Sequence, residues 1–223
     1  MDKEEHIILS WQANAVSWLD IVQSGGIESR KLVTNQAIVN AVIAVKPASV
    51  LDIGCGEGWL AKKLYDQGIR VSGIDIVPGF IEKAKEKVVG EFFVASYEDI
   101  ASKSVSFSLL FDAIVINFAL LGKESTENLL SSLPQYLNGN GKLFIQTLHP
   151  YSRKEMGDYT TGWKPGGWEG LPGQFTIPYQ WYFRTLGDWT QLLKDSGFYE
   201  VHITETKHPV SGKLSSVIFT CSI

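Results

Sequence analysis

Short apolar segments alternate with amphipathic segments along the chain from about residue 48 onward. Several of the apolar segments are hydrophobic at successive positions, which is typical of strands buried on both faces of a parallel sheet. They lie at residues 49–53, 71–76, 92–94, 111–117 and 142–148. Helical patterns lie between them, at residues 59–67, 80–89 and 123–137. This alternation predicts a doubly wound α/β fold, in which helices cover both faces of a mostly parallel sheet.

Both ends of the chain depart from this alternation. Residues 7–22 and 30–45 have helical spacing and are separated by Ser24-Gly25-Gly26, so we expect residues 1–46 to form a helical cap. Near the other end, a helical pattern at 186–196 precedes two strand patterns, at 199–206 and 216–221. We therefore expect a domain at residues 47–223 with a seven-stranded sheet, whose last two strands form an antiparallel hairpin.

A long stretch within this domain has no regular pattern. Residues 149–181 contain six glycines, four prolines and three tryptophans, and the stretch is too long for an ordinary connection. We expect a lid-like insertion at about 149–183, here called the lid segment, that closes over a bound small molecule. Its aromatic rings suit an aromatic or a cationic ligand, and the alternative is that they only pack the segment onto the sheet.

Charge and composition exclude several classes of partner. The net charge is −4, and Lys and Arg are scattered rather than gathered into the basic stripe that nucleic-acid binding requires. The longest apolar stretch, residues 105–121, is interrupted by polar residues, so we expect no membrane span and no membrane partner. The acidic amino terminus argues against a secretion signal, and we expect a cytoplasmic location. Cys55 and Cys221 form neither a disulfide framework nor a metal-ligand spacing, so we predict no metal.

The segment Val50-Leu51-Asp52-Ile53-Gly54-Cys55-Gly56-Glu57-Gly58-Trp59 carries the clearest functional signal. A strand runs into a glycine-rich turn and then a helix, whose unpaired N–H groups favour a polar or anionic group of a ligand. Asp75 follows 23 residues after Asp52, near the end of the second strand, where dinucleotide folds bind ribose hydroxyls. These residues predict a ligand that contains a ribose.

The glycine spacing indicates which family binds this ligand. A dinucleotide fingerprint needs a small residue at the position of Trp59, whereas here the third glycine is Gly58. The resulting Asp-x-Gly-x-Gly-x-Gly resembles motif I of the Rossmann-like (class I) S-adenosylmethionine-dependent methyltransferases of the small-molecule type. Gly73-Ile74-Asp75 resembles their next motif, and further similar segments extend the resemblance over about residues 48–220. It implies methyl transfer from S-adenosylmethionine to an unidentified small molecule by in-line displacement.

The resemblance also implies a set of cofactor contacts. The glycine loop would hold the methionine portion, Asp52 the amino group, Asp75 both ribose hydroxyls, and an arginine of the cap the carboxylate. Family members often carry an aspartate beside the adenine where this chain has Ser96, which leaves the N–H of the next residue as a contact. The implied residues are Arg30, Asp52, Gly54, Cys55, Gly56, Asp75, Ile76, Ser96, Tyr97, Asn117 and Phe118. Asn117 and Phe118 would face the sulfonium.

The catalytic base and two alternative functions complete the prediction. His149 follows the fifth strand at the carboxyl edge of the sheet, so it is our candidate general base; the alternative is a histidine that orders the His149-Pro150 turn. Residues 117–120, Asn-Phe-Ala-Leu, differ from the Asn/Asp-Pro-Pro-Tyr/Phe of members that methylate nucleobases or glutamine. A nicotinamide-dependent oxidoreductase and a non-catalytic S-adenosylmethionine-binding module are the alternatives, and the sequence indicates no particular oligomeric state.

Overall fold

The computed structural model of the chain describes residues 2–155 and 157–223. Its strands, in chain order, are β1 Ser49–Ile53, β2 Arg70–Asp75, β3 Phe92–Val94, β4 Phe111–Asn117, β5 Leu137–Leu148, β6 Gly162–Pro165, β7 Gln180–Phe183, β8 Glu200–Lys207 and β9 Leu214–Ser222. The α-helices are α1 Lys3–Ala13, α2 Ala15–Ser24, α3 Asn35–Ala44, α4 Trp59–Tyr65, α5 Pro78–Lys87, α6 Tyr97–Ala101, α7 Glu124–Ser132, α8 Tyr151–Glu155 and α9 Leu186–Asp195. None of the described helices is long and apolar enough to cross a bilayer.

The larger sheet has the strand order β3-β2-β1-β4-β5-β9-β8. Strands β1 to β5 are parallel, whereas β9 pairs antiparallel with both β5 and β8. The predicted α/β fold, with seven strands and an antiparallel hairpin at the end, is therefore confirmed. The chain moves outward from β1 in one direction to β3 and then in the other to β5, so a crevice opens at the carboxyl ends of β1 and β4.

Alternating burial explains why these segments form the centre of the sheet. Every residue of β1 is buried, and its side chains enter two separate cores on opposite faces. Leu51 and Ile53 pack in one core with Ile114, while Val50 packs in the other with Val115. A strand with apolar residues at consecutive positions is stable only where both faces are covered, which holds β1 in the middle of the fold.

The cap differs from the prediction of two continuous helices. The helix predicted at 7–22 is divided at Asn14 into α1 and α2, because the Asn14 side chain hydrogen-bonds to the backbone of Thr176 in the lid segment. The helix predicted at 30–45 begins with a π-helical turn, Arg30–Thr34, before α3. Tertiary contacts at Asn14 override the helical pattern of the local sequence.

The lid segment is more regular than its sequence pattern. It contains the short helix α8 and a two-stranded antiparallel sheet, β6 with β7, in which Trp163 pairs with Tyr182. The Tyr182 N–H donates to the carbonyl of Leu121 at 2.8 Å, which fastens β7 to the loop after β4. The prediction of an unpatterned segment was wrong at these strands, since their pairing partners lie too far apart to give a local hairpin signal.

Candidate functional site

A cavity of about 1310 Å³ lies at the carboxyl ends of β1, β2 and β4, beneath α1 and the lid segment. All eleven of the predicted cofactor residues line it: Arg30, Asp52, Gly54, Cys55, Gly56, Asp75, Ile76, Ser96, Tyr97, Asn117 and Phe118. The structure thus brings together residues that are spread over most of the amino-terminal half of the chain. Their roles toward a ligand remain predictions.

The glycine loop provides space beside the strand ends. Gly54 and Gly56 both have positive φ angles, +70° and +54°, which other residues adopt only under strain. A Cβ added to Gly54 would lie 2.5 Å from the Cβ of Ala119, whereas none of the described atoms lies within 4 Å of a Cβ added to Gly56. The N–H of Gly54 donates to the carbonyl of Ile74 and that of Gly56 to the carboxylate of Asp75, so neither donor is free for a ligand, and the loop offers space beside Gly56 instead.

The carboxylate of Asp52, near the end of β1, is buried without a described hydrogen-bond partner. The residue is 1% exposed, and neither carboxylate oxygen has a hydrogen-bond partner among the residues that the structure describes. Burial, together with the nearby carboxylates of Asp75 and Glu57, raises the pKa of Asp52 to about 8. A buried carboxylate of this kind needs a cationic or hydrogen-donating partner, and the cavity is the open side from which a ligand can supply one.

Asp75 is held in place by the backbone. One oxygen accepts from the N–H of Gly56 and the other from the N–H of Val77, both at 2.9 Å. Burial raises the pKa of Asp75, and these hydrogen bonds lower it again, with a net value of about 6. Each oxygen keeps a second acceptor site, so a fixed pair of acceptors lies at the end of β2, as ribose recognition requires.

Glu57 is a third acid at the same loop, and our sequence analysis did not identify it. It is 2% exposed, lines the cavity, and its Oε1 has no hydrogen-bond partner in the described part of the chain. The Nζ of Lys87 lies 4.0 Å from that oxygen. An acidic residue between two glycines of a ligand loop was the available signal, because its side chain starts from the loop itself.

Arg30 lines the cavity between two indole rings. Its guanidinium carbon is 5.6 Å from the ring centroid of Trp18 and 5.2 Å from that of Trp59. Burial lowers the pKa of Arg30, while the charge of Glu57 opposes this effect. The only hydrogen bond described for this side chain joins Nε to Asn35 at 3.4 Å, so most of its donors face no described acceptor. A ligand carboxylate fits these donors.

The residues expected at the adenine serve partly structural roles. Ser96 caps α6, since its hydroxyl accepts from the N–H of Asp99 at 3.1 Å and donates to the Asp99 carboxylate at 2.8 Å. The Tyr97 hydroxyl donates to the carbonyl of Ala119 at 2.9 Å, and burial raises its pKa. The Ser96 hydroxyl is therefore committed to the cap, in agreement with a weaker expectation for it as a ligand contact.

The end of β4 shows a local departure from regular geometry. Phe118 has a φ of +55°, and its N–H donates to Gln146 of β5 at 2.8 Å. Asn117 lines the cavity with a buried Oδ1 that has no partner among the described residues. Non-glycine residues in this backbone region are often held at ligand sites. Cys55, by contrast, is a buried thiol whose pKa is raised by burial, which suits packing rather than nucleophilic chemistry.

The structure does not bring His149 to the cavity. The residue is fully buried, and it is absent from the described cavity lining. Its Nδ1 accepts from the N–H of Tyr151 at 3.2 Å, so Nε2 carries the proton and donates to Glu205 at 2.9 Å. Both ring nitrogens are therefore engaged, which contradicts the prediction of a general base and fits the alternative of a histidine that orders the turn after β5.

Hydrogen bonds join α1 to the lid segment and to the rest of the fold. The Asn14 side chain donates to the carbonyl of Thr176 at 2.5 Å and accepts from the N–H of the same residue at 2.6 Å. At the start of α1, the Glu4 carboxylate accepts from the N–H groups of Lys123 and Glu124, both at 2.7 Å. The cap and the lid segment thus form a connected roof over the cavity.

Comparisons with known proteins agree with this architecture. Residues 31–203 match the family described as "Methyltransferase domain". A ubiquinone biosynthesis O-methyltransferase of Rickettsia typhi is 22% identical over 180 residues, which cover 78% of this chain and 65% of that protein. The corresponding enzyme of Xanthomonas oryzae is 29% identical over 116 residues, which cover 50% of this chain and 47% of that protein. The chain thus spans about half to two thirds of the length of these curated relatives.

One solved structure extends the similarity to nearly the whole chain. It is the 1,6-didemethyltoxoflavin-N1-methyltransferase of Burkholderia thailandensis, described with bound 1,6-didemethyltoxoflavin and S-adenosylhomocysteine. The TM-score is 0.63 at 16% identity, and the match covers 99% of this chain and 90% of that one. At this identity the likeness establishes a common fold.

Proposed function

The chain belongs to the family of methyltransferase domains, and from this membership we propose that it transfers a methyl group from S-adenosylmethionine to a small-molecule acceptor. The observation that carries the proposal is the buried, unpartnered carboxylate of Asp52 facing the cavity. S-adenosylmethionine supplies a methyl group on a positively charged sulfur, next to an ammonium group and a carboxylate. Asp52 and Glu57 suit the cationic groups, and Arg30 suits the carboxylate.

The remaining residues fit the other half of the cofactor. Asp75 presents two anchored acceptors for the ribose hydroxyls. Ile76 and Tyr97 line the cavity where the adenine would follow, and the open space beside Gly56 admits the chain that connects ribose and methionine. Each predicted contact therefore has a position consistent with its role, with the hydroxyl of Ser96 as the exception.

A nicotinamide dinucleotide fits the same loop poorly. Its pyrophosphate would lie near the glycine loop, where the charges of Asp75 and Glu57 raise the pKa of Asp52 and the charge of Glu57 contributes to the raised pKa of Asp75. Two additional negative charges would be repelled in a site of low effective dielectric. Trp59 also occupies the position at which the dinucleotide fingerprint requires a small residue.

The size of the cavity leaves space for an acceptor. Pockets for small ligands typically occupy about 300–1,000 Å³, and this cavity measures about 1310 Å³. Because His149 lies elsewhere, we propose that the chain accelerates transfer mainly by aligning the acceptor with the methyl group in a site from which the roof excludes water. The cap at 1–46 and the lid segment at 149–183 would supply this enclosure to the domain at 47–223.

Calorimetric titration with S-adenosylhomocysteine, with NAD⁺ titrated in parallel, tests the cofactor assignment. We expect the first to bind and the second not to bind. Binding of NAD⁺ alone would overturn the assignment in favour of an oxidoreductase. Transfer of labelled methyl groups to a panel of acceptors then distinguishes an enzyme from a non-catalytic binding module, which would bind the cofactor without turnover.

The charge of the chain and its two free thiols bear on its partners and its location in the cell. Net charge −4 without a basic stripe supports a small molecule, rather than a nucleic acid or a membrane, as partner. Cys55 and Cys221 are free and buried, which suits the reducing cytoplasm as the site of action.

A further inference from the structure

We propose that the methyl acceptor is a planar aromatic molecule, held between indole rings of the cap and the lid segment. The inference deepens the proposed function, on which it rests, by assigning a chemical class to the second ligand. It depends on the aromatic lining of the cavity and on how those rings are fixed.

Tryptophan is concentrated at the cavity to an unusual degree. The chain has seven tryptophans, and six of them line the cavity, whereas Trp189, on α9, packs in the core. The six are Trp11, Trp18, Trp59, Trp163, Trp168 and Trp181. If they served only to pack the lid segment, we would expect them to be buried like Trp189; yet of these only Trp168 is buried, and the others remain partly accessible. Large apolar rings left accessible in a cavity indicate a ligand that covers them.

The rings form a wall whose geometry is fixed. The centroids of Trp11 and Trp168 are 4.8 Å apart, and the ring planes meet at 79°. Trp168 stacks on Phe175 at 4.9 Å and 12°, and its Nε1 donates to the hydroxyl of Ser10 at 3.1 Å. Trp168 is itself buried, and it holds the partly accessible ring of Trp11 in a set direction, which a planar ring fits better than a flexible chain does.

Cations of the protein already lie against part of the aromatic lining. The Nζ of Lys3 lies 5.2 Å from the ring centroid of Trp163, and Arg30 lies between Trp18 and Trp59, so indole faces of this cavity bind cations within the protein itself. The described lining carries nine acidic and three basic residues, so its charge does not exclude a cationic ring, and the shape of the ring is what the indoles select.

Equilibrium binding to protein preloaded with S-adenosylhomocysteine tests the inference with two probes. They are 2-naphthol and its saturated counterpart decahydro-2-naphthol. We expect 2-naphthol to bind about fivefold more tightly than the saturated alcohol, in line with the energy of one aromatic contact. Equal or tighter binding of the saturated alcohol would overturn the proposal.

Variants of Trp163 test whether the preference for 2-naphthol over the saturated alcohol arises at this ring. Trp163→Leu is expected to bring the ratio of the two naphthol affinities close to one, Trp163→Phe to restore most of it, and Tyr199→Leu, at a residue 80% exposed, to leave it unchanged. A ratio unchanged in Trp163→Leu would contradict the placement. Binding of S-adenosylhomocysteine without 2-naphthol would defeat this inference alone, whereas binding of 2-naphthol to protein that fails to bind S-adenosylhomocysteine would defeat the proposed cofactor instead.

Discussion

Replacing Asp52 with asparagine separates the stability of the fold from the binding of the cofactor. Burial and the charges of Asp75 and Glu57 raise the pKa of Asp52 from 3.8 to about 8 in the folded protein. The folded chain therefore keeps this proton at pH values where the unfolded chain has released it. The free energy of unfolding consequently falls as the pH rises from about 4 to about 8. An asparagine side chain at this position would have nearly the same shape and no such dependence.

The expected gain in the free energy of unfolding follows from the same pKa shift. At about 1.4 kcal/mol per pKa unit, the shift limits the gain from removing this carboxyl group to about 5 kcal/mol at pH 8. An asparagine amide without partners at this position costs about 1–3 kcal/mol. We expect Asp52→Asn to be more stable than wild type by about 2–4 kcal/mol at pH 8 and nearly equal at pH 5. For a chain of this length the gain corresponds to an increase in Tm of about 5–15 °C.

Thermal unfolding from pH 5 to pH 9, with and without S-adenosylhomocysteine, measures both effects. The variant is expected to have the higher Tm without ligand and to lose most of the increase that the ligand produces. Asp66→Asn is the matched control, because Asp66 is an exposed aspartate in a surface ion pair with Lys62. A variant whose Tm at pH 8 equals that of wild type would refute the argument from burial. A full ligand-induced increase in the variant would refute the contact with the cofactor.

Three further predictions concern affinity and closure. Asp75→Ala should weaken S-adenosylhomocysteine binding about 10- to 100-fold by calorimetry, because two fixed hydrogen-bond acceptors are lost. An unchanged Kd in this variant would contradict the ribose contact. His149→Ala, the control, should lower Tm without changing that affinity. The pKa values of Asp52 and Asp75 are raised to about 8 and about 6 in the free protein, so binding of a cationic group should release protons from them. The affinity for S-adenosylhomocysteine should therefore rise between pH 5.5 and pH 8, by up to about tenfold per pH unit for each proton released. An affinity that does not change with pH would contradict the contact between these carboxylates and the ligand. Asn14→Ala removes the bonds to Thr176 and should speed chymotryptic cleavage after Phe175 several-fold, whereas an unchanged rate would show that Asn14 does not hold the lid segment.

The central sheet could be predicted from the sequence because its signals are local. The segments at 49–53 and 111–117 are apolar at successive positions, and the structure forms β1 and β4 over these same residues. Glycine pairs and helical spacing also indicated the connections. The glycine loop and Asp75 lie at strand ends, and the carboxyl ends of parallel strands meet at one edge of the sheet, so their convergence on one cavity followed from the fold class.

The features that sequence reasoning missed depend on distant contacts. The division of the cap at Asn14 is produced by Thr176, and the pairing of β6 with β7 joins residues that no local turn connects. His149 occupies the expected sheet edge, but its ring is turned toward Glu205 of β8. A position at the end of a strand predicts proximity to the crevice, and it does not predict the direction of the side chain.

The acids of the glycine loop also show why the site is better explained by a ligand than by the turn alone. A tight turn between a strand and a helix needs glycines, and it does not need Asp52, whose burial near Asp75 and Glu57 disfavours its charged form. Arg30 is likewise desolvated, and the charge of Glu57 offsets this effect only in part. The carboxylate of Asp52 has no hydrogen-bond partner among the described residues, so it gains one when a donor or a cation enters the cavity. A ligand that carries both a cationic group and a carboxylate suits Asp52 and Arg30 together.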